Sequence, residues 1–200
     1  MTAMIYLDNA ATTLIKPEAV YRRSNEVLRY FSANAGRGGH AASLKAGELL
    51  FDARQRAAEF FGAPNERCVF TFGCTDALNL VLRGLFAPGD HVLTTAYEHN
   101  AVLRPLAWLK KTEGLDYTVL FPHADGVIPL DDFVSALRES TRAVIVNPVS
   151  NVTGHVQDLT AIGAFCKENG LLLIADGAQA AGHLPLSMHT IDYLCCAGHK

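Results

Sequence analysis

Residues 171–200 read LLLIADGAQAAGHLPLSMHTIDYLCCAGHK, and this stretch decides the fold. It opens with the apolar run 171–175, which predicts a strand buried on both faces. Asp176 follows at the carboxyl end of that strand. A second apolar run, residues 191–196, leads to Lys200. The stretch therefore predicts two neighbouring strands that each deliver polar side chains at their carboxyl ends.

Asp176 and Lys200 have two interpretations. A buried acid costs free energy unless a partner satisfies it, so the two residues could form a structural ion pair. Alternatively, both bind a cofactor, the lysine as a Schiff base and the acid on a pyridinium nitrogen. The acid would then keep the ring protonated, so that it absorbs electrons from a substrate carbanion. These two residues alone do not decide between the interpretations.

The composition excludes several classes of protein. The chain has 200 residues, of which 50% are hydrophobic and 18% charged, which allows one sizeable domain or one domain plus part of another. The formal net charge is −3 and no basic run occurs, which argues against nucleic-acid binding. No apolar run is long enough to span a membrane, and residues 1–8 lack the features of a signal peptide.

Cysteine usage indicates a reducing, cytoplasmic setting. The five cysteines form no C-x-x-C pair and no even framework; they are Cys68, Cys74, Cys166, Cys195 and Cys196. Cys68 and Cys166 lie on apolar patterns and favour a core position. Cys195 and Cys196 are adjacent in a strand and point to opposite faces. We therefore expect no metal site.

Strand-like and helical patterns alternate regularly from residue 69 onward. Strands are predicted at residues 69–72, 91–95, 117–121, 143–146, 171–175 and 191–196. Helices are predicted at residues 17–30, 43–61, 75–86, 100–111, 130–138 and 159–167. Residues 8–13 are too small and polar to fill a core, and predict a loop or arm. The alternation predicts an α/β fold with a mainly parallel sheet flanked by helices.

Polar residues follow five of the six predicted strands. In open parallel sheets, ligands bind beyond the carboxyl ends of the strands, because the loops converge there. The polar groups are residues 73–76, residues 97–100, residues 147–151, Asp176 with Gln179, and residues 198–200. The sequence therefore predicts a functional site at that edge.

The residue types at this edge suit a planar, phosphorylated ligand. Cys74 and Thr75 lie where a strand turns into a helix, so the helix dipole favours a phosphate there; otherwise Thr75 is an ordinary N-cap. His99 could stack on a planar ring, or could be a hydrogen-bonded, half-buried histidine. Asn151 and Gln179 could hydrogen-bond a phenolate oxygen, or could cap turns.

Three glycines surround Arg37 and precede His40 in the segment NAGRGGH, residues 34–40. Glycine permits positive φ and a close approach of the backbone to a ligand. The segment could equally be a mobile linker between two helices.

The motifs, taken in order, resemble the cysteine desulfurases of the class V aminotransferase group, which are fold-type I enzymes dependent on pyridoxal 5'-phosphate. The resemblance covers the whole chain and rests on DNAATT at 8–13, GRGGH at 36–40, FTFGCTDA at 70–77, EHN at 98–100, SNVTG at 150–154, DGAQ at 176–179 and GHK at 198–200. It implies that this chain forms part of the large domain of a fold-type I transferase.

The resemblance also implies residue roles. Lys200 would carry the cofactor and move the substrate proton, and His99 would stack on the ring. Asp176 would hold the pyridine nitrogen, with Gln179 and Asn151 near the ring oxygen. The phosphate and the lysine segment would involve Cys74, Thr75, Gly198 and His199. The substrate side of the site would involve Asn9, Ala10, Arg37 and His40.

The implied reaction converts L-cysteine to L-alanine and leaves sulfur as a persulfide on an enzyme cysteine. Relatives act on selenocysteine, or catalyse other β-eliminations and transaminations. The resemblance further implies a homodimer and a sulfur-acceptor protein. The non-enzymatic alternative is that the chain is an interaction domain without a cofactor.

Three departures from the family pattern matter. Ala197 replaces the usual Ser or Thr, so the phosphate would have one hydrogen bond fewer, and Pro148 replaces a frequent histidine. The third is length. We expect residues 1–15 to form an arm or small-domain segment and residues 16–200 an incomplete large domain. The sulfur-accepting cysteine and the arginine for the substrate carboxylate are expected beyond Lys200, so the 200 residues alone are expected to be inactive.

Overall fold

The computed structural model describes residues 5–200 and divides into two compact units. The first unit comprises the chain up to Phe70 together with His199 and Lys200. The second unit runs from Thr71 to Gly198.

Two helices dominate the first unit, α1 (Glu18–Tyr30) and α2 (Ala41–Phe61). Pro17 precedes α1 as its N-cap, where the lack of a backbone N–H costs nothing. Gly62 ends α2 with a left-handed φ of 70°, which glycine adopts without a steric penalty. Both predicted helices are confirmed, with starts shifted by one or two residues. A short 3₁₀ helix, Asn65–Arg67, follows.

The second unit contains a five-stranded sheet in which every neighbouring pair is parallel, in the order β2-β1-β3-β4-β5. The strands are β1 (His91–Thr95), β2 (Asp116–Leu120), β3 (Thr141–Val146), β4 (Leu172–Asp176) and β5 (Tyr193–Cys195). The helices are α3 (Cys74–Leu85), α4 (Asn100–Thr112), α5 (Leu130–Ser135) and α6 (Leu159–Glu168). The predicted α/β class is therefore correct.

Helices cover both faces of the sheet. On one face, Leu78 and Leu82 of α3 pack with Leu106 of α4 against Ile145 and Ile174. On the other face, the rings of Phe133 in α5 and Phe165 in α6 meet edge to face at 5.9 Å. The strand β1 is buried along its whole length, as expected for a parallel sheet covered on both faces.

The strand predicted at residues 69–72 is wrong, because the described residues contain no strand there. Phe72 is fully exposed. A strand exists only through pairing, and no described strand pairs with this segment. The helix predicted at residues 130–138 ends early, at Ser135.

Within residues 5–200, no helix is both long enough and apolar enough to cross a membrane. All five cysteines are free thiols, and Cys74, Cys166 and Cys195 are buried.

Candidate active site

The carboxyl ends of β3 and β4 leave the sheet side by side. Val146 pairs with Ala175 across the two strands, so the segments that begin at Asn147 and Asp176 are neighbours. Thr95 ends β1 on the other side of β3. The parallel arrangement thus gathers three of the polar segments predicted from the sequence at one edge.

Asp176 is a buried acid at this edge. It is the last residue of β4 and only 4% exposed. Its Oδ1 accepts hydrogen bonds from the Cys74 thiol at 3.2 Å and the Ala178 backbone N–H at 3.1 Å. The carboxylate is therefore held in place through Oδ1 at the carboxyl end of β4.

The side chain of Cys74 contacts Asp176, although the sequence placed this residue near a phosphate. Burial raises the pKa of the Cys74 thiol far above its ordinary value, and the nearby charge of Asp176 raises it further. The thiol therefore stays protonated and acts as a donor. Only the backbone of Cys74 can face a ligand at the start of α3.

The amino end of α3 fits a phosphate. Gly73 is the N-cap with φ 142°, and no side chain caps the helix. A Cβ placed on Gly73 would have no atom within 4 Å, so the space beside the helix end is open. Thr75 lies within the first turn, so the interpretation of Thr75 as N-cap is wrong. Free N–H groups and the helix dipole favour an anion here.

His99 is the N-cap of α4, and its Nδ1 accepts a hydrogen bond from the Ala101 N–H at 3.1 Å. The side chain is exposed, so the half-buried interpretation is wrong. His99 and Thr75 line the same open groove, of about 440 Å³, between α3 and α4. The imidazole is therefore fixed through one nitrogen while its faces remain accessible.

A buried polar network supports His99. Glu98 is 7% exposed, and its Oε1 accepts from Thr95 Oγ1 at 2.7 Å and from the Asn147 backbone N–H at 2.9 Å. Asn147 Nδ2 donates to the Tyr97 carbonyl at 2.6 Å. The sequence placed Glu98 and Asn147 at strand ends but gave them no role. The sequence did contain one indication of a role for Glu98. It is an acidic residue directly before a candidate histidine and three residues after a buried strand.

Asn151 and Gln179 lie in the loops that follow β3 and β4. Asn151 is half-buried in a turn where Ser150 Oγ accepts from the N–H groups of Val152 and Thr153, at 3.3 Å each. Gln179 is half-buried in the turn after β4. Both positions are compatible with turn roles as well as with ligand contacts.

The arm and the end of the chain meet within the first unit. His199 accepts at its carbonyl from the Thr13 N–H and Thr12 Oγ1, both at 3.2 Å, and His199 Nδ1 lies 3.0 Å from Thr12 Oγ1. Asn9 and Ala10 lie in the turn that precedes Thr12. The fold thus brings the arm to the residues next to Lys200.

The glycine-rich segment is an ordered, hydrogen-bonded turn. Gly38 N–H donates to Ser43 Oγ at 3.1 Å, and His40 Nδ1 accepts from the Ser43 N–H as the N-cap of α2. A Cβ on Gly38 would lie 2.6 Å from Ser43 Cβ, so glycine is required for close packing there, although its φ is not positive. Arg37 lies in the same turn.

The chain matches the family "Aminotransferase class-V" over residues 5–200. Among curated relatives, cysteine desulfurase IscS of Shewanella sp. (strain MR-4) is 34% identical, with 100% of this chain and 51% of the relative covered. A probable cysteine desulfurase of Methanothermobacter thermautotrophicus is 36% identical, with 98% and 49% covered. This chain spans about half the length of these relatives.

Solved structures similar to this chain also include a cysteine desulfurase. The apo cysteine desulfurase of Thermococcus onnurineus NA1 superposes with a TM-score of 0.90 at 32% identity, covering 98% of this chain and 50% of that one. A structure described as SspA in complex with cysteine superposes with a TM-score of 0.88 at 28% identity, covering 97% and 57%. As the order of the motifs predicted, the chain belongs to the class V aminotransferase family.

Proposed function

We propose that the full-length protein is a pyridoxal-phosphate-dependent cysteine desulfurase that converts L-cysteine to L-alanine and passes the sulfur to an enzyme cysteine. The observation that carries the proposal is the buried Asp176 carboxylate. It is 4% exposed at the carboxyl end of β4, and one of its oxygens is held by Cys74 and Ala178. Relatives matched over the whole chain are named cysteine desulfurases, which supports this choice of reaction.

The residues present fit the cofactor. In the proposed arrangement the Asp176 carboxylate would hold the pyridine nitrogen, and His99 would stack on the ring. The backbone N–H groups at Cys74 and Thr75 bind the phosphate, because Gly73 leaves that helix end uncapped. Asn151, Gln179, Gly198 and His199 complete the cofactor contacts. When bound, the cofactor supplies an electron sink for negative charge at the substrate Cα.

Each proposed catalytic residue has a defined task. Lys200 Nζ would hold the cofactor, and it would take the proton from the substrate Cα and return it. Asp176 would keep the ring nitrogen protonated by its negative charge. His99 would exclude water from one face of the cofactor ring, because its imidazole is oriented by the Ala101 N–H. On the substrate side we propose Asn9, Ala10, Arg37 and His40.

The sulfur-accepting cysteine is proposed to be none of the five in this chain. Burial raises the pKa of Cys166 and of Cys195 to about 12, and that of Cys74 still further. A thiolate is the nucleophilic form, so these thiols would react poorly at neutral pH. Cys68 and Cys196 are only half-buried, but neither matches the position of the sulfur-accepting cysteine in the family pattern.

We further propose a cytoplasmic homodimer that delivers sulfur to an acceptor protein. Five free thiols without a disulfide suit a reducing compartment. Exposed apolar side chains on the second unit, among them Leu80 and Trp108, suit coverage by a second copy.

The test is an absorption spectrum of the purified full-length protein with pyridoxal phosphate, recorded before and after addition of L-cysteine, followed by an alanine assay. We expect a visible band that changes with L-cysteine, together with alanine release. Selenocysteine turnover in preference to cysteine, or a keto acid in place of alanine, would move the assignment to the lyase or aminotransferase alternatives.

The matched variants are Lys200→Ala and Lys167→Ala, the latter at an exposed lysine of α6. Lys200→Ala should lose covalent attachment of the cofactor, and Lys167→Ala should keep it. A protein that shows no band even with excess pyridoxal phosphate would instead support an interaction domain without cofactor.

A further inference from the structure

The network behind His99 contains an imbalance between hydrogen-bond donors and acceptors. Glu98 and Asn147 are 7% and 3% exposed. Among the described residues, two of their buried side-chain atoms have no hydrogen-bond partner, namely Glu98 Oε2 and Asn147 Oδ1. Buried polar atoms without partners are rare, because each costs free energy.

The orientation of the Asn147 amide is fixed by its other contact. Its nitrogen Nδ2 donates to the Tyr97 carbonyl at 2.6 Å, so the remaining atom must be the oxygen. Glu98 Oε1 already accepts two hydrogen bonds, one of them from the Asn147 backbone N–H. Both unpartnered atoms belong to residues in direct contact, and both are acceptors while Glu98 is ionised.

One added proton removes the imbalance, because a protonated carboxyl group is a donor. Building on the proposed function, we propose that Glu98 is a neutral carboxylic acid whose Oε2–H donates to Asn147 Oδ1, and that this bond makes both of them positioning residues for His99.

The surroundings favour the neutral form. Burial raises the pKa of Glu98 to about 8, against the hydrogen bonds from Asn147 and Thr95, which lower it. Asp176 at the end of β4 is the charged group that acts on Glu98, and it raises the pKa further. The neighbours from β1 and β3, Thr95 and Asn147, do not titrate. A neutral Glu98 thus leaves Asp176 as the single anion of this group.

The network holds the turn that carries His99 from both sides. Glu98 is tied back to β1 by its own N–H, which donates to the Thr95 carbonyl at 3.3 Å, and Asn147 ties Tyr97 to β3. Ionisation of Glu98 would remove the Oε2 donor and add a second negative charge near Asp176. We therefore expect cofactor binding to weaken as the pH rises through the pKa of Glu98.

The direct test is infrared difference spectroscopy of the full-length protein without cofactor, titrated from about pH 6 to about pH 10. We expect the C=O band of a protonated carboxyl group to be present at neutral pH and lost with a midpoint near 8. The band should be absent from Glu98→Gln and unchanged in Glu113→Gln, a control at an exposed glutamate. Absence of the band at neutral pH, or its retention in Glu98→Gln, would overturn the proposal and favour an ionised Glu98 bridged by water.

The second test is the affinity for pyridoxal phosphate. Glutamine keeps an acceptor at Oε1 and offers an N–H donor in place of Oε2–H, so Glu98→Gln should bind within about twofold of the unmodified protein at neutral pH. Above the pKa of Glu98, the affinity of the unmodified protein should fall by roughly tenfold per pH unit at most. Glu98→Gln should avoid most of this loss of affinity. Weaker binding by Glu98→Gln at neutral pH would contradict the positioning role. If the protein bound no cofactor at all, the proposed function would fail, but the infrared result would still decide the state of Glu98.

Discussion

At the scale of single residues, Cys74 shows that the side chain and the backbone of one residue can have different roles. Its backbone begins α3, where the sequence predicted a phosphate. Its thiol donates to Asp176 Oδ1 at 3.2 Å from inside the core. Sequence spacing located the helix start but could not show which way the side chain points. In the proposed site, the thiol orients the acid that binds the ring nitrogen.

Replacement of this thiol tests that contact. Cys74→Ala removes a weak donor to a charged acceptor. We therefore expect pyridoxal phosphate to bind more weakly by about 1 kcal/mol, which raises its Kd roughly fivefold. Cys74→Ser keeps a donor and should bind better than the alanine variant. Titration of cofactor absorbance measures both.

The control for this pair is Cys166→Ala, which removes a buried thiol on α6 that makes no contact with Asp176 among the described residues. It should leave the Kd unchanged while lowering stability. Equal affinities for the serine and alanine variants at Cys74 would contradict a hydrogen-bonding role.

At the scale of elements, the sequence predicted the strands and helix ends that depend on neighbouring residues. The run at residues 91–95 coincides with β1, a strand with an apolar centre at Val92 and Leu93 that is buried along its whole length. Gly62 marked the end of α2, since its left-handed φ needs glycine. The run at 69–72 has the same apolar character, yet it forms no strand in the described structure. Strand formation depends on a partner distant in the chain, and that information is absent from a local pattern.

The amino edge of the sheet contains a buried histidine that sequence patterns did not indicate. His91 begins β1 and bonds Thr141 of β3 and Thr118 of β2, at 2.8 and 2.9 Å. Burial lowers the pKa of His91 below its ordinary 6.5, and the positive charges of Arg138 and Lys110 lower it further, while Asp116 opposes them. The imidazole therefore remains neutral and joins three strands.

This lowered pKa makes the sheet sensitive to acid. Below pH 6.5 the unfolded chain binds a proton at His91 that the folded chain excludes, so stability falls as pH falls. The loss is at most about 1.4 kcal/mol per pH unit. His91→Gln should be less stable at pH near 7.5 but should lose less stability on acidification to about pH 5.5. Denaturant unfolding of the full-length protein at the two pH values measures the difference.

His189→Gln is the matched control, because His189 is exposed in a loop. It should retain the acid sensitivity of the unmodified protein. If His91→Gln lost as much stability between the two pH values as this control, His91 would not be the source of the effect.

At the scale of the whole molecule, sequence reasoning located the candidate site but not its internal bonds. Alternating strands and helices predicted a parallel sheet, and a parallel sheet places strand ends at one edge. This put Asp176, His99 and Thr75 in the same region of the fold. It did not show that Asn147 bridges to Glu98, because such contacts depend on register between strands rather than on spacing along the chain. The register of β1 with β3 supplies that information.

The second unit also exposes apolar side chains on α3 and α4. Leu80 is 63% exposed and Trp108 41%. The guanidinium of Arg83 lies 4.3 Å from the Trp108 ring centroid, so this surface combines an aromatic anchor with positive charge. Surfaces with aromatic residues and arginine are typical of protein interfaces.

If a second copy covers this surface, a charge placed on it should weaken the dimer. Leu80→Asp buries an unpaired carboxylate in the interface, and we expect the dimer Kd to rise by roughly tenfold or more. Light scattering over a dilution series of the full-length protein measures the change. Val134→Asp is the control, because Val134 is 55% exposed on α5, the helix whose Phe133 packs with α6 on the opposite face of the sheet. An unmodified protein that is monomeric, or a Leu80→Asp dimer as stable as the control, would show that a second copy does not cover this surface.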